Sequence, residues 1–172
     1  MLIRLAQLQD ASALPIVEKS AAELFNADAG LAWLANGPVI AQEEHERLIL
    51  KQTVWVAQVA SADLVGFLNA EVFEDELHVW ELSVHKAWQR GGISKKLVQA
   101  ASRYALERGL RGLTLTTFVD VPWCAPAYSK LGFQPIQRPS QRLQKNLDAE
   151  SSHGLPMDRR VAMQRCVGVP FA

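Results

Sequence analysis

Only two of the 172 residues are cysteine, Cys124 and Cys166, and they form neither a CxxC pair nor a metal-type cluster. That scarcity excludes a disulfide scaffold and makes reduced thiols in a cytoplasmic setting the default expectation, with both cysteines read first as small core hydrophobes. An excess of charge of one sign is also missing, because 18 Lys and Arg balance 18 Asp and Glu. Nucleic acid is therefore not an expected partner, since a protein that binds it carries clustered Lys and Arg. No apolar run approaches the length of a membrane span. Met1–Leu5 lacks the basic stretch and long apolar stretch of a secretory leader, so neither a membrane nor export is expected. Repeats and low-complexity tracts are absent as well.

What is present suits an ordinary globular protein: 49% of residues are apolar and 21% charged, in a length that fits one domain over residues 1–172. Ile3–Leu5 reads as a short strand. A helix is expected from about Ser12 to Leu24, with Leu14, Val17, Ala21 and Leu24 on one face. Pro15 fits only its first turn, which favours Ser12 over Asp10 as the cap. Residues 26–38 read as a loop or broken helix, and Ala41–Lys51 as a second helix. Thr53–Val59, Leu64–Phe73 and Leu77–Val84 form a three-strand meander, the first two joined as a hairpin by Ala60–Asp63. A strong helix follows from Ile93 to about Arg108, with Ile93, Leu97, Ala101 and Tyr104 inward and Gly109 just past its end. Then come a Thr-rich strand at Leu113–Phe118, a short helix at Trp123–Leu131 and a strand starting at Phe133–Ile136. Arg138–Met157 reads as a long polar loop, and Val161–Val167 as the last strand. Helices alternating with strands point to a mixed sheet with both faces covered, of α/β class (α+β type).

The informative stretch is Glu81–Leu97, where a strand runs into a basic, glycine-bearing loop that opens a helix. Gly91 and Gly92 allow backbone conformations other residues avoid. The first N–H groups of a helix, reinforced by its dipole, attract an anion, and Arg90, Lys95 and Lys96 add positive charge. This is a diphosphate cradle, although neither a Walker loop nor a GxGxxG fingerprint is present. A plain helix start, with lysines for solubility, is the competing reading of the same residues.

Gln89-x-x-Gly92-x-Ser94 resembles the Q/R-x-x-G-x-G/A signature of the GCN5-related N-acetyltransferase (GNAT) superfamily. Val84-His85 resembles the V-H-P that precedes it, with Lys86 in place of the proline. Ala127-Tyr128-Ser129-Lys130-Leu131-Gly132-Phe133 resembles the family's A-x-x-Y-x-x-L-G-F block. Both motifs occur in order, and the similarity spans roughly Ile3 to Val167, closest to bacterial members. It implies the GNAT fold: a mixed central sheet of about six to seven strands flanked by about four helices. It also implies an N-acetyltransferase that uses acetyl-CoA as co-substrate, needs no metal, and transfers the acetyl group to an amine of a small molecule or peptide by direct attack in a ternary complex. The implied CoA-binding set is Leu82, Ser83, Val84, Gln89, Arg90, Gly91, Gly92, Ile93, Ser94, Lys95 and Cys124. A homodimer is the assembly common in the family. Two positions depart from its pattern. Ser94 stands where Gly or Ala is usual, and Cys124 where such members often carry an Asn that contacts the pantetheine arm.

Amine acetylation requires that an ammonium lose a proton, that an oxyanion meet a donor and that the departing thiolate gain a proton. The resemblance places Tyr128 near the CoA sulfur as the acid, and the backbone N–H at Val84 at the oxyanion. For the base, His78 and Glu81 on the third meander strand are both candidates, beside a water relay, with Glu71 as a weaker one. Strict alternation puts His78 and Glu81 on opposite faces unless a bulge intervenes. The acceptor site is expected around residues 26–42 and 138–157, with Leu31, Trp33 and Leu34 as lining candidates. Two other readings stand beside the enzyme: a GNAT-like module that binds CoA or senses acetyl-CoA without turnover, and a structural or regulatory domain whose cradle takes another anion.

Overall fold

The Val- and Thr-rich segments pair as strands in the computed structural model, which describes residues 1–168, 170 and 171. These strands are β1 (Leu2–Leu5), β2 (Val54–Gln58), β3 (Leu64–Phe73), β4 (Glu76–Val84), β5 (Gly112–Phe118), β6 (Gln134–Pro135) and β7 (Arg160–Cys166). Helices α1 (Leu14–Ala22), α2 (Gln42–Leu50), α3 (Ile93–Glu107), α4 (Ala125–Lys130) and α5 (Gln141–Ser152) lie between them. The sheet order is β1-β2-β3-β4-β5-β7-β6, with β4 parallel to β5 and antiparallel ladders at β1–β2, β2–β3, β5–β7 and β6–β7. This is the mixed α/β architecture expected from the sequence, with five α-helices among the described residues where about four were expected.

The chain forms two compact units, one of Met1–Glu71 with Val79–Ala101, the other of Val72–His78 with the chain from Ser102 onward. In the first, α1 and α2 cover the strands through Ala11, Leu14, Val17, Leu48, Ile49, Val54, Val56 and Phe67, all buried. Each large apolar side chain removed from water contributes about 1.5–3 kcal/mol. The first helix starts later than the Ser12 cap implied. A 3-10 turn at Leu8–Ala13 precedes it, and Pro15 sits in the first turn of α1 as expected. Asp10 causes the change: its carboxylate accepts the Gln7 N–H at 2.7 Å and pairs with Arg4 at 2.7 and 3.0 Å. Those partners hold Asp10's carboxyl below the usual range, Arg4's hydrogen bond being the main cause.

A fully buried polar pair lies within this unit. The Asn69 amide donates to His45 Nδ1 at 2.7 Å, so His45 Nε2 carries the ring proton. Burial pushes the His45 pKa down. A group whose folded pKa is depressed contributes stability above its unfolded value, about 6.5, and loses it as the pH falls through the folded value. Melting temperature should therefore drop more between about pH 7 and pH 5 for the natural chain than for His45→Gln, as thermal unfolding at the two pH values will show.

In the second unit, β5 and β7 pair along their whole length, from Gly112 opposite Cys166 to Phe118 opposite Arg160, and β7 also carries β6. The stretch expected as a loop at Arg138–Met157 is instead largely helix α5. Ser140 caps it by accepting the Leu143 N–H at 3.4 Å, and Leu143 and Leu147, one turn apart, bury themselves against Ala162 with Ile136 packed alongside.

Candidate functional site

The cradle forms because β4 ends in a tight turn. Gln89 donates its side-chain amide to the Val84 carbonyl at 3.0 Å, which ties the loop to the strand end. Arg90 (φ 63) and Gly92 (φ +75) are both left-handed and flank Gly91. Left-handed residues interleaved with ordinary ones gather successive N–H groups into an anion-binding concavity. The first intrahelical bond of α3 runs from Lys96 N–H to Gly92 O at 3.2 Å, so the amides before it lie in the turn that every helix leaves without intrahelical acceptors. A Cβ placed on Gly92 would meet nothing within 4 Å, so the concavity is open on that side. Arg90 and Lys96 are exposed, Ser94 and Lys95 half-buried. Ile93, buried at the start of α3, seats the cradle on β3 at Gly66. A Cβ there would stand 3.1 Å from both Ile93 Cγ2 and the Ser83 carbonyl oxygen. Donor set, charge and open backbone all fit a diphosphate.

Upstream on β4, Leu82 is half-buried while Ser83 and Val84 are buried. Ser83 donates its hydroxyl to Glu81 Oε1 at 2.7 Å, which orients the half-buried Glu81 carboxylate. Glu18 on α1 feels the charge of Glu81, and sequence reasoning assigns it no role. Burial, and after it the Glu81 charge, raise the Glu18 pKa to about 8, against the opposing effect of the Ile40 N–H donated to it. Leu31 is fully buried, Leu34 half-buried and Trp33 47% exposed, so of the three expected lining residues only Trp33 presents a broad face to solvent. An open groove of about 740 Å³ lies beside α1, with Ser20, Glu23, Asn26, Asn36, Val39 and His85 among its walls.

Glu71 is held by Arg47 at 2.8 and 3.1 Å, by Lys51, and by the Trp80 indole N–H at 3.2 Å. The Arg47 hydrogen bond is the main cause that takes its pKa well below the usual carboxylate range. A carboxylate held so firmly in its ionised form is a weak proton acceptor at neutral pH.

In the second unit, His78 is buried in a polar network. The Asn146 amide donates to Nε2 at 3.2 Å, so Nδ1 bears the proton and donates to Thr114 Oγ1 at 3.1 Å. Arg142 donates to the same hydroxyl at 3.1 Å and to Glu76 at 2.7 Å. Arg142, Asn146 and Glu150 stand at i, i+4 and i+8 on α5, and Glu150 in turn pairs with Arg160 at 2.9 Å. The expectation of a polar loop at Arg138–Met157 hides this row, because its members align only when the segment is helical.

Tyr128 lies on α4, whose start Cys124 builds. The Cys124 carbonyl accepts the N–H groups of Ala127 and Tyr128, both at 2.9 Å, while its side chain is buried. Tyr128 meets Phe133 edge-on at 5.5 Å. Arg165, 1% exposed on β7, donates to the Leu131 carbonyl at 2.9 Å and lies 3.8 Å above the Phe171 ring, so a buried cation closes the C-terminal end of α4.

Among the described residues, no group of three or more His, Cys, Asp or Glu side chains is arranged to hold a metal, and no helix is long and apolar enough to cross a membrane.

Solved structures share the fold. The PaiA N-acetyltransferase from Thermoplasma acidophilum, in complex with coenzyme A, superposes with a TM-score of 0.72 at 15% identity, covering 96% of this chain and 98% of that one. A GNAT-family acetyltransferase from Listeria monocytogenes gives 0.69 at 14%, over 96% and 94%. N-acetylglutamate synthase from Neisseria gonorrhoeae, complexed with coenzyme A and N-acetyl-glutamate, gives 0.67 at 18%, over 98% of this chain but 35% of that one. The model of the acetyltransferase (GNAT) family matches residues 20–133, which hold both the cradle and Tyr128. The chain belongs to the GNAT family of acetyltransferases, which use acetyl-CoA.

Proposed function

We propose that the protein is an acetyl-CoA-dependent N-acetyltransferase, one domain over residues 1–172, that acetylates an amine of a small molecule or peptide by direct attack in a ternary complex. The observation that carries this is the cradle: left-handed Arg90 and Gly92 before α3, with Gln89 clamping the end of β4. Backbone N–H groups of residues 91–95 and the charges of Arg90, Lys95 and Lys96 bind the CoA pyrophosphate. Backbone groups of Leu82 and Val84 hold the pantetheine arm, and the Val84 N–H donates to the acetyl oxygen as negative charge develops there. The bound co-substrate supplies the activated acyl group.

Glu81 is the base. Its carboxylate is half-exposed and steadied by Ser83, whereas the Nε2 lone pair of His78 already accepts from Asn146. His78 then serves to fix the start of β4 against α5. Tyr128 is the acid for the thiolate, and Cys124 sets its helix. The reduced-thiol cytoplasm is the compartment this reading assumes.

Thiol release from acetyl-CoA across a panel of primary amines tests the proposal. Release that requires an amine supports it. Acetyl-CoA binding without release from any amine would make the chain a silent CoA-binding module, and no binding at all would overturn both.

A further inference from the structure

We propose that Ser83 is a positioning residue for the acetyl transfer: its hydroxyl holds the Glu81 carboxyl group in place both before and after Glu81 takes a proton from the acceptor amine. The inference rests on Glu81 as the base. The family resemblance puts Ser83 in the CoA-binding set; its hydroxyl is committed to the base instead.

Ser83 Oγ lies 2.7 Å from Glu81 Oε1. Residues i and i+2 of a strand share one face, so this bond runs along β4 and needs nothing from another element. The Ser83 main chain is itself well fixed. The next-but-one amide, His85 N–H, donates to the Val65 carbonyl at 2.9 Å, which holds the end of β4 on β3. A Cβ on Gly66 would stand 3.1 Å from the Ser83 carbonyl oxygen, so glycine at 66 lets the two strands approach this closely. Ser83 is 4% exposed, and water competes little for its hydroxyl. A one-carbon arm on a fixed backbone thus ties the base to the strand whose next residue, Val84, carries the N–H assigned to the acetyl oxygen.

A hydroxyl both donates and accepts. Toward the ionised carboxylate Ser83 donates, and a hydrogen bond to the charged form favours that form. In the transfer an N–H bond of the ammonium breaks, an O–H bond forms on Glu81, and the nitrogen keeps the electron pair that attacks the acetyl carbon. A proton that lands on Oε2 leaves the Ser83 bond to Oε1 as it was. A proton that lands on Oε1 is met by the same hydroxyl, rotated to accept. Ser83 itself gains and loses no proton, and the carboxyl group keeps one orientation throughout. Glu18 on α1 feels the charge of Glu81 with or without this hydroxyl, so its influence is common to the natural chain and to a Ser83 variant.

Carboxyl-carbon NMR titration of the apo protein, with glutamate labelled, compares the natural chain with Ser83→Ala, which deletes one oxygen and adds no bulk. The Glu81 midpoint should rise by about one pH unit, a proton held about ten-fold more tightly. With an amine that gives thiol release, the acidic limb of the kcat profile should move up by the same amount. The plateau of kcat should fall about ten-fold while CoA affinity stays within about two-fold. Ser83→Thr restores a hydroxyl and should restore the midpoint; if its added methyl prevents folding, the alanine variant decides alone. An unmoved midpoint would overturn the inference, all the more if CoA affinity falls, the result expected of a hydroxyl that contacts the co-substrate. Glu81→Gln separates this from the reading beneath it. Full activity in that variant would remove Glu81 as the base and this inference with it. An inactive Glu81→Gln beside an unmoved midpoint in Ser83→Ala would overturn this inference alone.

Discussion

Replacing Tyr128 by phenylalanine will lower kcat by about 10²-fold or more and leave CoA affinity within about two-fold. The phenol O–H is the group at issue, because the departing thiolate needs a proton in the transition state and not in the ground state. Phenylalanine keeps the ring, so the edge-on contact with Phe133 at 5.5 Å persists. The helix that carries the ring is fixed independently. Cys124 holds its first turn through two carbonyl hydrogen bonds, Gly132 ends it in a left-handed conformation (φ 87), and Arg165 donates to the Leu131 carbonyl at its end. With the scaffold kept, a fall in kcat isolates proton donation, and the basic limb of the pH–rate profile should disappear with it. Steady-state kinetics together with CoA titration check both halves, and an unchanged kcat would remove Tyr128 as the acid.

Gly112→Ala will destabilise the protein by about 3–5 kcal/mol, a drop in melting temperature of about 10 °C or more. Gly112 opens β5 and is flanked on one side by Glu76 of β4 and on the other by Cys166 of β7. A Cβ there would stand 2.2 Å from the Arg165 carbonyl oxygen, 3.0 Å from the Arg165 carbonyl carbon and 3.1 Å from the Cys166 Cα. All three are backbone atoms inside a ladder, so no side-chain rotation relieves the overlap, and the end of the β5–β7 pairing must move. Thermal or urea unfolding measures the loss. A change below about 1 kcal/mol would mean that the two strands are not held so closely.

Strands and helices with a strong pattern were legible from the residues. The Val-rich meander, the stripe from Ile93 to Ala101 and the Gly109 stop all correspond to elements, and β3 spans Leu64–Phe73 as read. The cradle was legible as chemistry, because basic residues and glycines before a helix point to an anion. Its left-handed Arg90 was not, since nothing in composition marks a non-glycine residue for that conformation. Helix α5 was missed because its apolar side is only Leu143 and Leu147, and polar residues on the rest of its surface hid the period. The Ser140 cap and the row Arg142, Asn146 and Glu150 were the available signals. The Ser12 cap was displaced because Asp10 finds a second partner in Arg4, a contact with β1 that a window along α1 does not contain. Glu18 was invisible for the same reason: one acidic residue on a helix shows along the sequence neither its burial nor the influence of Glu81, far along the chain.

The central claim is that the turn at Gln89–Lys96 binds CoA, and thermal unfolding with and without CoA tests it most directly, run on the natural chain and on Gly92→Val. Gly92 holds φ +75 with open space around it, so valine disturbs the backbone form of the cradle while touching no packed neighbour. At a CoA concentration of about a hundred times Kd, the natural chain should gain about 2.7 kcal/mol, a rise of about 5–10 °C, and the variant should lose most of that gain. No rise at millimolar CoA, or the same rise in both proteins, would contradict the account.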